Sequence, residues 1–316
     1  MTSPWSRDRW AALASRVRTR AGTAPTDSAA LDEIRRGSRS VLRSFSSSFF
    51  LVTRFLPAPK RRSVELVYAA VRYPDEIVDT FPIAPSEKLA LLDGWQYGYE
   101  EALRLEGVRA RLRTGVPWIL AGFAEVVGAA GIPPAHYRSF LDAMRRDAAP
   151  RPFANLDRLI EDYVYGSAIV VGYFLAHVYG TSESATMEEA YRSAADLGIA
   201  LQLTNFARDA AEDRARGRLY VPLDAVEARG IPGGIAFLAE EAEIRYERAL
   251  RTLGVFAADT RPAIRACIDV YRLLNRRILH SRGQTGVRHS VPIAQKFGAL
   301  PADKYWRVPL AWMGAL

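Results

Sequence analysis

The spacing of apolar residues makes the chain helical almost throughout. Between Lys60 and Asp79, the residues Val64, Val67, Tyr68, Val71 and Asp75 fall three and four apart, the period of a helix that buries one face. Comparable patterns run over Leu31–Leu42, Lys88–Leu105, Val116–Ala130, Pro133–Arg146, Leu156–Tyr179, Thr186–Ala215, Ile235–Ala258 and Arg261–Ser281. A shorter apolar run follows a serine-rich entry in Ser46–Leu56. Pro85–Ser86 marks a helix start, while Pro57–Pro59, Gly131–Pro134, Pro150–Pro152 and Gly230–Gly234 interrupt the pattern. The gaps are short, strand-like alternation is scarce, and no internal repeat is present. This predicts an all-α fold: one domain over residues 26–295, with about eight to ten helices packed as antiparallel neighbours. Residues 1–25 read as a mobile or weakly helical extension, and residues 296–316 as a C-terminal tail.

Composition narrows the class. The 316 residues are 49% hydrophobic and 25% charged, an ordinary soluble balance at a length able to enclose a ligand cavity. The formal charge of +8 suits nucleic acid, an anionic membrane surface or an anionic substrate. Arginines are dispersed and no zinc-finger or RNP-type motif occurs, which argues against nucleic acid. A polyanionic substrate or loose attachment to a membrane surface accounts for the charge. The single cysteine, Cys267, lies in the apolar pattern Ile264–Cys267–Tyr271, so it reads as a core residue, and a disulfide framework is excluded. His136, His177, His280 and His289 have no metal-ligand spacing. The N-terminus has no apolar signal region, and Ala168–Tyr179 is shorter than the ~20 residues of a spanning helix. The expected location is cytoplasmic, peripheral to a membrane.

The chemistry lies in two carboxylate clusters. Asp75 and Asp79 are four apart on one helical face. Like charges at that spacing repel, and a cation between them reverses the effect. Magnesium, which takes hard oxygen ligands and binds through one or two carboxylates plus phosphates, is the natural choice. A solvated helix face is the plain alternative. The second cluster is stronger: Asn205, Asp209 and Asp213 repeat every four residues on a largely apolar helix, with Gln202 near the same stripe. Polar groups at core-like positions cost free energy unless paired or metal-bound. A buried network with Arg208 is the competing account. Arg72, Arg208 and Arg218 flank the clusters and could bind phosphate oxygens. Together these residues suit departure of a diphosphate from an allylic carbon in a water-poor pocket.

At these residues the chain resembles the squalene/phytoene synthase family, over about Ser46 to Arg288. The most specific block is LGIALQLTNFARDAAEDRARGRLYVP, Leu197–Pro222. Ser46-Ser-Ser-Phe49, Tyr68-Ala-Ala-Val-Arg72, Asp75-x-x-x-Asp79, Phe140–Asp147 and Tyr163-Val-Tyr-Gly166 agree in order, and Tyr271 and Arg288 have the expected spacing.

The resemblance implies a class I isoprenoid synthase bundle with a central cavity. It also implies head-to-head joining of two farnesyl or geranylgeranyl diphosphates through a cyclopropyl intermediate. Squalene synthases then reduce with NADPH, whereas phytoene and dehydrosqualene synthases lose a proton. By resemblance, Asp75, Asp79, Asn205, Asp209 and Asp213 bind Mg2+ or Mn2+. Ser46 and Ser48 approach the diphosphate, which Arg72, Arg208, Arg218, Tyr220 and Arg288 clamp. Tyr163, Tyr68, Gln202, Tyr271, Ala168, Val171 and Gly172 line prenyl and cation sites.

Three departures stand out: Pro74 directly before Asp75, Glu76 where many members carry Asp, and Ile169 where the family has glycine. Pro74 is expected to tilt the first metal-binding face. Ile169 and the altered Ser167–Gly172 segment motivate a second reading, a related terpene synthase that ionises a single prenyl diphosphate and cyclises or rearranges it. A third is a non-catalytic assembly factor of the same fold, against which both intact carboxylate clusters argue.

Overall fold

The computed structural model describes residues 5–284 and 288–313. Residues 1–4 and 314–316, the ends of the expected extension and tail, lie outside the described residues. Among the described residues there are helices, turns and one isolated bridge, Thr181 with Phe256. Contacts divide the chain into two compact units, Met1–Phe50 with Ala58–Ala149, and Leu51–Pro57 with Pro150–Leu316.

The first unit holds α1 (Arg7–Gly22), α2 (Asp27–Phe45), α4 (Ala58–Asp79), α5 (Pro85–Arg104), α6 (Val108–Arg113), α7 (Trp118–Ala130) and α8 (Pro134–Asp147), while α3 (Ser47–Thr53) follows α2 in the chain. Its core is aromatic. The Trp95 indole donates to the Tyr137 hydroxyl at 2.8 Å, and that hydroxyl donates to the Ala70 carbonyl at 2.7 Å. This fully buried relay ties α5 and α8 to α4 less than one turn before Arg72. The residues read as a loose extension instead form α1, with Trp10, Leu13, Val17 and Ala21 buried. Their spacing is amphipathic, but five exposed arginines on the other faces (Arg7, Arg9, Arg16, Arg18 and Arg20) disguise it in the sequence. Helix α4 runs unbroken through Pro74 to Asp79, and Pro74 itself is buried, so the ring is accommodated within the packed helix.

In the second unit, Leu156–Tyr179 is one continuous helical stretch of 24 residues. It begins as α9 (Leu156–Leu159), widens into a π-helical segment (Ile160–Ile169) and ends as α10 (Val170–Tyr179). The apolar run seen in the sequence is only its second half. By length and composition the whole stretch could cross a membrane, but it packs along α11 (Met187–Ala215). The two come into backbone contact. A Cβ on Gly172 would lie 2.8 Å from the Ala194 carbonyl oxygen, and one on Gly198 would lie 3.0 Å from that of Ala168. Helix α12 (Leu223–Arg251) bends at Gly230, whose φ of 68° is non-helical, and α13 (Arg261–His280) follows. At the core, the Thr204 and Tyr246 hydroxyls lie 2.9 Å apart, and the Asn275 amide donates to the Ala239 carbonyl at 2.9 Å. This network joins α11, α12 and α13 beside Asn205. The expected tail forms α14 (Ile293–Gly298) and α15 (Lys304–Trp312). Leu300, Val308 and Ala311 are buried, and the Arg307 guanidinium donates to the Arg54 carbonyl at 3.1 Å. Cys267 is buried, as expected, and burial pushes its thiol up to about 12.

Candidate active site

Helix α4 presents Tyr68, Arg72, Asp75 and Asp79 along successive turns, the consequence of their spacing. Tyr68 stacks on Phe49 with centroids 5.8 Å apart. Arg72 donates to Asp75 Oδ2 at 2.6 Å, pairs with Glu76, and lies over the Phe45 ring at 4.4 Å. Glu76 is fully buried; burial raises its pKa against the pull of Arg72. Asp75 is pushed up to about 7, by burial first; Arg72 opposes the shift, and the carboxylates of Asp79, Glu76 and Asp147 add to it.

Two of these neighbours do not stand out as site residues in the sequence. Asp147 is visible there only as the end of Phe140–Asp147, and its approach to Asp75 joins residues more than seventy apart. Glu76 reads as a departure, yet it holds Arg72. Ser46 acts locally, since its hydroxyl accepts from the Phe49 amide at 3.2 Å and so caps α3. Ser48 is half-buried within α3.

In the second unit, α11 carries half-buried Gln202, Asn205 and Asp209 and buried Asp213. Arg208 Nε donates to Asp209 Oδ1 at 2.8 Å, and Arg288 Nε reaches the same oxygen at 3.1 Å. Arg288 also lies 3.3 Å from Glu212. Burial works against the charge on Arg208, but Asp209 above all, with Tyr271 and Glu212, raises its pKa overall. Lys296 of α14 is depressed by burial and by Arg208, which places a further cation near this group. The backbone amide of buried Arg218 donates to the Asp213 carbonyl at 2.8 Å.

Tyr163, on the π-helical segment, stacks on Tyr220 at 5.1 Å, and Tyr220 stacks on Phe206 at 4.3 Å. The Tyr220 hydroxyl donates to that of Tyr163 at 3.3 Å. Phe206, Asp213, Arg218 and Tyr220 line a small cleft. Ala168 and Gly172 sit at the crossing with α11, Ile169 is buried, and Val171 is half-buried on α10.

A divalent cation fits the first cluster. Burial first, and then the Asp79, Glu76 and Asp147 carboxylates, push Asp75 up to about 7, and a cation beside it would favour its ionised form. Hard oxygen donors of this type select Mg2+ or Mn2+. Among the described residues, no three His, Cys, Asp or Glu side chains are gathered around one point. The second stripe is partly satisfied by arginine, so both accounts drawn from its sequence, ligand set and polar network, have atoms behind them.

Residues 42–296 match the family described as squalene/phytoene synthase. The chain is 28% identical over 272 residues to 15-cis-phytoene synthase of Enterobacter agglomerans, covering 81% of this chain and 90% of that protein. It is 32% identical over 195 residues to the chloroplastic phytoene synthase 1 of Zea mays, covering 60% of this chain and 45% of the maize protein. With several such relatives, the matched region spans about half of their length. In fold it is similar to a dehydrosqualene synthase crystallised with a ligand, with a TM-score of 0.70 at 22% identity, covering 90% of this chain and 98% of that one.

Proposed function

The chain belongs to the squalene/phytoene synthase family and has its all-α isoprenoid synthase fold. On that premise we propose that it joins two farnesyl or geranylgeranyl diphosphates head to head, through a cyclopropyl diphosphate, to a squalene- or phytoene-type hydrocarbon. The observation that carries this reading is the Arg72–Asp75–Glu76–Asp79–Asp147 grouping on and beside α4, in which burial first, and then the neighbouring carboxylates, raise the Asp75 pKa to about 7 against the pull of Arg72. Mg2+ at Asp75 and Asp79 of the first unit, and Mg2+ at Asn205, Asp209 and Asp213 of the second, would supply charge that neutralises a departing diphosphate.

Arg72, Arg208, Arg218 and Arg288 would hold phosphate oxygens by charge-assisted hydrogen bonds. Arg72 and Arg208 now spend donors on Asp75 and Asp209; an incoming phosphate competes for the same N–H groups. Breaking the allylic C–O bond sends its electron pair to the diphosphate and leaves a cation on carbon. The buried Tyr163–Tyr220–Phe206 stack excludes water from that cation and offers it π faces. Ser46 and Ser48 would approach the diphosphate. Tyr68, Gln202, Tyr271, Ala168, Val171 and Gly172 would line the prenyl chains.

The test is incubation of the purified chain with Mg2+ and each diphosphate, followed by mass spectrometry with and without NADPH. The expected product carries the carbons of both substrates. A product that adds NADPH hydride identifies the squalene branch; one that loses a proton identifies the phytoene branch. Products with one substrate's carbons would establish cyclisation or rearrangement of a single diphosphate instead, and no ionisation of either diphosphate would leave the assembly-factor reading.

A further inference from the structure

The last helix, α15, lies beyond the region matched to the family and has an unusual surface. Lys304, Val308 and Ala311 are buried. Tyr305, Trp306, Pro309 and Met313 are exposed, and at 3.6 residues per turn they fall within an arc of about 100°. Tyr305 is 72% exposed, Trp306 49% and Met313 71%. Ile293, on α14, adds a fourth large apolar side chain at 58%. The arc contains no charge.

Along this part of the sequence the charge is one-sided. Residues 276–316 contain seven Arg and Lys and a single acid, Asp303, a formal +6 of the chain's +8. Arg276 and Arg277 of α13 share a cleft with Gln295 of α14, so two cations of this stretch border α14, whose Phe297 packs on Tyr305. The apolar arc has no part in the proposed chemistry, and of the seven cations only Arg288, paired with Asp209 and Glu212, does.

We infer that α14 and α15 form a membrane-docking surface, which seats Tyr305, Trp306 and Met313 at the headgroup boundary of an anionic bilayer. Tyr and Trp prefer that boundary because each has an apolar body and a polar tip. Basic residues beside an apolar helix face add attraction to anionic lipid, and two weak signals together give stable peripheral binding. A second copy of the chain fits less well: self-pairing would set one +6 stretch against another, and like charges across an interface are repulsive. Lys296, close to Arg208, lies on the same α14, so docking here would bring the second carboxylate stripe near lipid.

The proposal is tested by sedimenting the full-length chain with vesicles of phosphatidylcholine alone or mixed with phosphatidylglycerol, without substrate. The wild type is expected to pellet with the anionic vesicles and to bind the neutral ones at least about tenfold more weakly, with 0.5 M salt narrowing the gap. The double substitution Y305E/W306E is expected to reduce anionic-vesicle binding at least about tenfold, with unchanged helical circular dichroism. If the double variant loses its helical signal, Trp306→Ser alone carries the same test. The proposal is overturned if the wild type stays in the supernatant, if the folded variant binds as the wild type does, or if the wild type is a dimer that the substitution dissociates. Because no substrate is present, failure here leaves the condensation reading untouched, and the reverse also holds.

Discussion

Replacing Asp75 with Asn isolates the cost of keeping a carboxylate cluster ready for metal. In the folded chain Asp75 titrates at about 7, well above its ordinary 3.8, because burial and the Asp79, Glu76 and Asp147 charges disfavour its ionised form. The folded state therefore holds this proton more tightly than the unfolded state. The stability so conferred is complete below pH 3.8 and is lost as pH rises through 7. At 1.36 kcal/mol per unit, a fixed and fully buried group would give about 4 kcal/mol. Asp75 is 33% exposed and paired with Arg72 at 2.6 Å, and solvent screening reduces the figure to about 1–2 kcal/mol. Asn is neutral at every pH and leaves Arg72 its contact with Glu76. In EDTA at pH 8, Asp75→Asn should then melt about 2–6 °C above the wild type, and the two should converge near pH 4. Thermal melts followed by circular dichroism from pH 4 to 8 measure this directly. Equal or lower stability of the variant at pH 8 would refute the account of the cluster as electrostatically strained. Added Mg2+ with inorganic diphosphate should close the gap by raising the wild type more than the variant.

Three further outcomes are expected. Asp79→Ala or Asp209→Ala should lower turnover by at least about a thousandfold while leaving the helical circular dichroism intact; wild-type rates in either would remove that residue from the metal site. Gly172→Ala places a methyl group 2.8 Å from the Ala194 carbonyl oxygen, and since backbone cannot rotate away, denaturant melts should record a loss of about 1–3 kcal/mol. Trp10→Ala removes a buried ring packed on Trp5, Phe45 and Tyr73 and should cost about 3–5 kcal/mol, whereas a loosely attached extension would tolerate the change.

Features that depend on near neighbours in the chain were legible in the sequence. Helical periods over Lys60–Asp79, Thr186–Ala215 and Arg261–Ser281 returned as α4, α11 and α13, with Thr186 and Pro85 at helix starts. The four-residue spacing of Asp75 and Asp79, and of Asn205, Asp209 and Asp213, dictates a shared face wherever the helix goes. The family was legible for the same reason, since its motifs are short and ordered. Features made by remote segments were not. Asp147 gains its meaning only beside Asp75, Trp10 beside Tyr73 and Glu76, Arg288 beside Asp209, and each pairing needs a chain reversal that no local period encodes. The π-helical turn that carries Tyr163 and the backbone contact at Gly172 and Gly198 arise from packing against α11. Whether a short apolar stretch is core or surface is likewise decided by what covers it: the arginine-studded start of the chain became the buried face of α1, while Tyr305, Trp306 and Met313 stayed on the outside of α15.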